Sequence, residues 1–273
     1  MSTPPATVGV DAGATLWKLV RMGPEIETAV VPAGDVEAAS TRIRTWQPRC
    51  VATTGGGAQR LGAGLESDLP GVSIHHFAEF QAWGRGVPVL AKHEGLGLPE
   101  SYLVVSLGTG TSVLWVHGER CERVGGSALG GGSLLGLGQL LLETDSFERI
   151  AELARGGDRR RVDLLVGDIY PGDETPLPRD LNAASFGKID SREPADLAHA
   201  LMGLLGENIA LISGELARAR EVDAIVYCGS TLSGNPVLSQ TLDLVSRTLG
   251  RRALFPAAGA FGGAIGAASL ATP

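Results

Sequence analysis

At 273 residues the chain exceeds a typical domain of about 100 to 150 residues, so two lobes with a cleft between them are expected. Its 23 Lys plus Arg against 30 Asp plus Glu give a net charge of −7, which argues against broad nucleic-acid or anionic-membrane binding; an anionic ligand has to be held locally. Cys50, Cys121 and Cys228 lie far apart and outside any CxxC or Cys/His spacing, which argues against a disulfide framework and against zinc.

Hydrophobic residues make up 44% of the chain, ample for a core, and no apolar run of the roughly 18 residues needed to cross a membrane is expected. The opening MSTPPATVGV lacks the basic region and apolar core of a secretory signal, so a cytoplasmic location is expected.

In chain order, Thr7 to Val20 reads as a strand, a small-residue turn and a second strand. Asp11 closes the first strand, where its carboxylate can orient a hydrated divalent cation, and Gly13 and Thr15 offer backbone and hydroxyl donors to phosphate. A plain β-turn with Asp11 as turn former is the competing reading. Asp35 caps a helix marked by Val36, Ala39, Ile43 and Trp46, which Pro48 ends. A strand over Cys50 to Thr54 runs through Gly55 to Gly57 into a short helix. A further strand spans Val72 to Phe77.

Glu79 follows directly, at a strand-to-helix junction ahead of Phe80, Trp83, Val87 and Leu90. A carboxylate there can point into a cleft as a general base, or serve only the helix dipole. Gly95 to Ser101 interrupts the pattern as the crossover to a second lobe.

The second lobe opens on VSLGTGTSVLWV, Val105 to Val116, two β-branched strands around Gly108, Thr109, Gly110, Thr111 and Ser112. Alternate glycines let backbone approach a ligand and the hydroxyls add donors, so phosphate is the expected guest. Arg123 stands between this hairpin and Gly130 to Gly132, either a clamp for a carboxylate or phosphate or a solvated strand cation. The triple glycine is expected to leave the first-turn amides of the following helix free for a nucleotide, while Leu134, Leu135, Leu137, Leu141 and Leu142 bury that helix. Phe147 to Arg155 continues helical, Asp158 to Arg161 reads as a solvated face, and Asp168 to Asp190 as an ordered excursion. Pro194 to Arg218 makes a long helix with Leu197, Leu201, Leu204, Leu205, Ile209 and Ile212 inward. The strand Ala224 to Cys228 ends in the loop Gly229 to Pro236, where Ser230 offers a hydroxyl, and GAFGGAIGAASL closes the chain as a small-residue helix.

With DAGATLWK, GTGTSVL, RVGGSALGGGSLLGL and YCGSTLSGNP in this order, joined by DLLVGDIYP and NAASFGK, the chain resembles a type II pantothenate kinase of the acetate and sugar kinase, Hsp70 and actin superfamily along almost its whole length. The resemblance implies an α/β fold of duplicated ribonuclease-H-like (actin-like ATPase) domains, residues 1–98 and 99–273. It also implies an ATP cleft between them, Mg²⁺, a homodimer, and coenzyme A or an acyl-coenzyme A as a feedback ligand. It implies pantothenate as the small-molecule substrate, phosphorylated to 4'-phosphopantothenate. By resemblance, Glu79 is the general base. Asp11, Gly13, Thr15, Lys18, Gly108, Thr109, Gly110, Gly131, Gly132, Ser133, Phe147 and Ser230 hold ATP, with Asp11 holding Mg²⁺ through water. Thr109, Ser112 and Arg123 hold pantothenate, Arg123 at its carboxylate. Ala14 departs from the usual glycine or serine, and Gln81, Trp83 and Arg85 from the smaller or acidic residues common in bacterial relatives. The alternatives are a kinase of another small alcohol, such as pantetheine or an amino sugar, or a non-catalytic nucleotide- or coenzyme-A-binding protein on the same fold.

Overall fold

The computed structural model describes residues 6–23, 25–170, 172 and 177–272. The first sheet joins β1 (Thr7–Ala12), β2 (Leu16–Met22), β3 (Glu27–Pro32), β4 (Cys50–Thr54) and β5 (Ser73–His76) in the order β3-β2-β1-β4-β5. β1 to β3 form an antiparallel meander, and β4 and β5 run parallel to β1. α1 (Val36–Thr45) starts at Asp35, whose side chain accepts from the Ala38 amide as expected. α1 and α2 (Ala58–Asp68) cover one face of this sheet, around Val8, Val10, Leu19, Ile43, Leu61 and Leu65.

α3 (Glu79–His93) leads to the second sheet, built from β6 (Ser101–Leu107), β7 (Thr111–His117), β8 (Arg120–Ser127), and the later strands β11 and β12. Between them come α4 (Gly131–Leu142), α5 (Phe147–Arg155), the small pair β9 (Leu164–Leu165) and β10 (Asn182–Ala184) with α6 (Val166–Ile169), and α7 (Pro194–Ala219). β11 (Ala224–Cys228), α8 (Pro236–Thr248), β12 (Arg252–Leu254) and α9 (Gly262–Ala271) complete the chain. The strand order is β12-β11-β6-β7-β8, again an antiparallel meander with two strands added parallel to its first member. The two halves therefore share one topology, the duplicated arrangement expected. Helices α4, α5, α7 and α8 cover one face of the second sheet around Leu103, Val105, Leu201, Leu205, Tyr227 and Leu238.

α3 and α9 lie between the two sheets. α3 presents Trp83 and Val87 to the second sheet, against Val104, Leu114 and Val226. Ala264 and Ile265 of α9 pack with Val20 of the first sheet and Leu90 of α3, and Ala267 packs with Ala52 and Ala82. The last helix thus returns to the first sheet, so the span 99–273 is not one self-contained lobe. Its small residues, Gly262, Gly263, Ala264 and Gly266, fit the narrow space against β1 and α3.

Three smaller expectations change. Leu141 and Ile212 are 41% and 37% exposed, and Leu140 is 78% exposed, so the buried stripes of α4 and α7 are narrower than the leucine spacing suggested. Arg159 does not belong to a solvated face: its guanidinium is 2.6 Å from the buried Glu207 carboxylate, whereas Arg160 and Arg161 face outward. By length and composition α7 could cross a membrane, contrary to the expectation that no segment could, but much of it is buried in the second core. Pro171 and 173–176, within the Asp168 to Asp190 excursion, lie outside the described residues.

Candidate active site

A cleft of about 1720 Å³ opens between the two sheets, and the turns that follow β1 and β6 project into it. These are equivalent positions of the two halves. Their tips meet: Thr15 Oγ1 lies 3.3 Å from Thr109 Oγ1. Fourteen of the fifteen residues assigned to the site from sequence line this one cleft: Asp11, Gly13, Thr15, Lys18, Glu79, Gly108, Thr109, Gly110, Ser112, Arg123, Gly131, Gly132, Phe147 and Ser230 all do, while Ser133 does not.

The first hairpin carries the charge. Asp11 and Lys18 are cross-strand partners, both nearly buried. Burial, and then Glu79 nearby, push the Asp11 carboxyl from 3.8 to about 6, with Lys18 pulling the other way. Glu79 is the first residue of α3, whose start has no side-chain cap, so it is not consumed by helix capping. The second hairpin is neutral. Ser106 and Ser112 are paired across it at the position that Asp11 and Lys18 occupy in the first.

Arg123 reaches the cleft through a local irregularity. Leu114 pairs with Arg123 but Val113 pairs with Gly125, so the strand bulges at Val124 and brings Arg123 and Gly126 onto the face shared with Ser112. The guanidinium lies over Gly126, where an added Cβ would come within 2.6 Å of its Nη2. Arg123 forms no ion pair among the described residues, so its charge is available to a ligand.

The nucleotide side differs from expectation in one respect. The amides of Gly131 and Gly132 are not free: they donate to the carbonyls of Gly108 at 2.8 Å and Thr109 at 2.9 Å. The triple glycine therefore seats the second hairpin directly on the start of α4, where a side chain at Gly130 would collide with the hairpin backbone. The Ser133 hydroxyl turns away and donates to the Ala128 carbonyl at 2.8 Å. Thr231 Oγ1 donates to the Gly108 carbonyl at 3.0 Å, and Arg155 Nη2 to the Gly234 carbonyl at 2.9 Å, which ties the Ser230 loop to the hairpin and to α5. Ser106, Thr231 and Arg155 were not singled out from sequence. Ser106 was legible as the counterpart of Asp11, two residues before the turn glycine.

A sequence model of the family described as Fumble matches residues 98–270. The type II pantothenate kinase of Staphylococcus haemolyticus (strain JCSC1435) is 34% identical over 271 residues, spanning 96% of this chain and 99% of that protein. The chain belongs to the type II pantothenate kinases. The type II pantothenate kinase of Bacillus anthracis is 32% identical over 98% of both chains. Among solved structures, the activator of 2-hydroxyisocaproyl-CoA dehydratase from Clostridium difficile with bound ADPNP superposes with a TM-score of 0.62 at 14% identity, over 97% of this chain and 94% of that one. A ROK family glucokinase from Streptomyces griseus, in complex with glucose and AMPPNP, gives 0.58 at 15% identity over 97% and 98% of the two chains. These two share the fold.

The family resemblance implies Mg²⁺, and the surroundings of Asp11 suit it. Side chains at Gly55 and Gly263 would stand 2.8 and 2.9 Å from the two Asp11 oxygens, so the absence of Cβ atoms there keeps room beside the carboxylate. The described residues contain no cluster of three or more His, Cys, Asp or Glu that would form an all-protein cage. One carboxylate, water and substrate phosphates make the usual Mg²⁺ shell.

The same burial has a cost in stability. With its folded pKa raised to about 6, Asp11 binds its proton more tightly in the folded than in the unfolded chain, so stability falls as pH rises from about 4 to 6 and stays lower above. The shift corresponds to roughly 3 kcal/mol. In protein freed of metal and nucleotide, Asp11→Asn is expected to raise Tm by several degrees at pH 7.5, with the gain vanishing towards pH 4. Scanning calorimetry across that range checks it; an unchanged or lower Tm at pH 7.5 would contradict it.

Proposed function

We propose that this chain transfers the γ-phosphoryl group of ATP to the primary hydroxyl of pantothenate, giving 4'-phosphopantothenate, the first step of coenzyme A biosynthesis. The observation that carries this proposal is the convergence of Glu79, Arg123 and the two touching hairpin tips on one cleft, in a chain whose relatives at 31 to 34% identity are named type II pantothenate kinases. Mg²⁺, held through water by Asp11, supplies charge neutralisation at the phosphates.

Every other part of the chemistry belongs to the protein's own groups. Glu79, aimed into the cleft from the first turn of α3, accepts the proton of the attacking hydroxyl. Lys18 and the donors around Gly13, Thr15, Thr109 and Gly110 face the charge that builds on the moving phosphoryl group, an arrangement often worth a few kcal/mol per donor. Gly108, Gly131 and Gly132 shape the wall on which the nucleotide rests, and Phe147 and Ser230 line its far end. Arg123 pairs with the pantothenate carboxylate beside Ser112 and Thr109, so that binding energy at one end of the substrate places the hydroxyl at the other.

A hydrogen bond between charged partners is worth about 1.5 to 3 kcal/mol. Arg123→Ala is therefore expected to raise KM for pantothenate roughly 10- to 100-fold with little effect on KM for ATP, and to change KM for pantetheine, which has no carboxylate, far less. Coupled ADP-release assays with pantothenate, pantetheine and N-acetylglucosamine test the proposal. Wild-type protein turning over only the sugar would overturn it in favour of an amino-sugar kinase, and no turnover with any of them in favour of a binding protein.

The proposal includes a homodimer, supported by the exposed Leu140, Leu141, Leu211 and Ile212, and coenzyme A or a thioester as feedback ligand. The three free cysteines suit a cytoplasmic setting.

A further inference from the structure

Trp83 is 3% exposed, and its ring is wedged beneath α9 against the second sheet. An added Cβ at Gly262 would come within 2.5 Å of the ring, so the backbone of α9 packs directly against the indole. Its Nε1–H forms no hydrogen bond among the described residues, although Trp83 lines the cleft. The ring is buried while its nitrogen stays accessible from the cleft, so the N–H is a donor that a molecule bound there can satisfy. The position of this donor is defined by its neighbours. A Cβ at Gly263 would stand 2.9 Å from Asp11 Oδ2 and 3.3 Å from Trp83 Nε1, so the donor and the Asp11 carboxylate flank the same small gap. Trp83 is also four residues after Glu79 on α3, one turn along the same helix face.

We infer that Trp83 Nε1–H donates to the oxygen of the acceptor's primary hydroxyl and so positions the nucleophile. A hydroxyl has one proton to give and two lone pairs. Glu79 takes the proton, the indole N–H occupies one lone pair, and the other is left to face the phosphoryl group. The inference rests on pantothenate being the acceptor.

The test begins by confirming that the wild-type protein phosphorylates pantothenate; if it does not, the acceptor assignment fails and this inference fails with it. Given that activity, the indole ¹H–¹⁵N resonances of the wild-type protein are followed, the Trp83 signal being assigned as the one lost in Trp83→Phe. On saturation with pantothenate that signal is expected to move downfield, and to move little with ADP alone. Trp83→Phe, which keeps an aromatic ring in the slot, is expected to lower kcat/KM for pantothenate about 3- to 10-fold while KM for ATP stays at the wild-type value. An unmoved Trp83 resonance at saturating pantothenate, or wild-type kcat/KM in Trp83→Phe, overturns the inference.

Discussion

Glu79→Gln is expected to lower kcat by about 10²- to 10⁴-fold, the usual contribution of a positioned proton acceptor. The substitution keeps the size and the hydrogen-bonding reach of the side chain and removes only its basicity. Glu79 takes no part in capping α3 and forms no ion pair among the described residues, so the fold should not notice. KM for ATP and Tm should stay near wild type, and the loss should appear in kcat and kcat/KM together, the signature of an interaction made in the transition state. The Gln variant also removes the negative charge that raises the Asp11 carboxyl, which if anything eases metal-free folding. Initial rates at saturating ATP and pantothenate decide the matter: a Gln variant within a few-fold of wild type would remove Glu79 from the chemistry.

The largest expected effect on stability lies at the crossing of α3 and α9. A Cβ at Gly266 would stand 1.7 Å from the Ala82 carbonyl oxygen, and one at Gly86 would stand 1.9 Å from the Gly262 carbonyl oxygen. Both obstacles are backbone, so no rotamer change relieves them, and the two helices must separate. Overpacking usually costs about 1 to 3 kcal/mol, and a backbone collision in a helix pair held between two sheets belongs at or beyond the top of that range. Gly266→Ala is expected to destabilise by more than about 3 kcal/mol, a fall in Tm on the order of 10 °C for a chain of this size, or to leave the protein insoluble. Gly136→Ala provides the control, because nothing lies within 4 Å of its Cβ position on α4. There, reduced freedom of the unfolded chain should give a gain of about 0.4 to 1 kcal/mol. Thermal melts of the two variants side by side check both signs, and a Gly266→Ala protein as stable as wild type would mean that the helices are not packed this closely.

Much of the fold was legible because the hydrophobic period changes cleanly at glycine turns. Both hairpins, the Asp35 cap and the strand-to-helix step at Glu79 fall where the pattern places them. β3 was not singled out: it is a largely exposed edge strand, and its alternation is too shallow to register. The return of α9 to the first sheet was hidden for another reason. A helix of glycine and alanine shows that it packs closely, not against what. At the site, side-chain chemistry in the turns could be read directly, which is why Asp11, Thr15, Thr109 and Arg123 come together. Backbone bookkeeping could not: the Gly131 and Gly132 amides are spent on the hairpin carbonyls, a pairing between segments that no local spacing reveals. The buried pairing of Arg159 with Glu207 was concealed likewise, because the run of three arginines looks alike from sequence and only one points inward.

The repeated strand order carries a consequence for how labour is divided across the pseudo-twofold relation of the halves. At matching stations of the meander the leading copy holds an acid and an ammonium group, Asp11 opposite Lys18, whereas the trailing copy holds two alcohols, Ser106 opposite Ser112. One architectural plan thus presents an ionic seat and an uncharged seat on either side of the place where Thr15 and Thr109 touch.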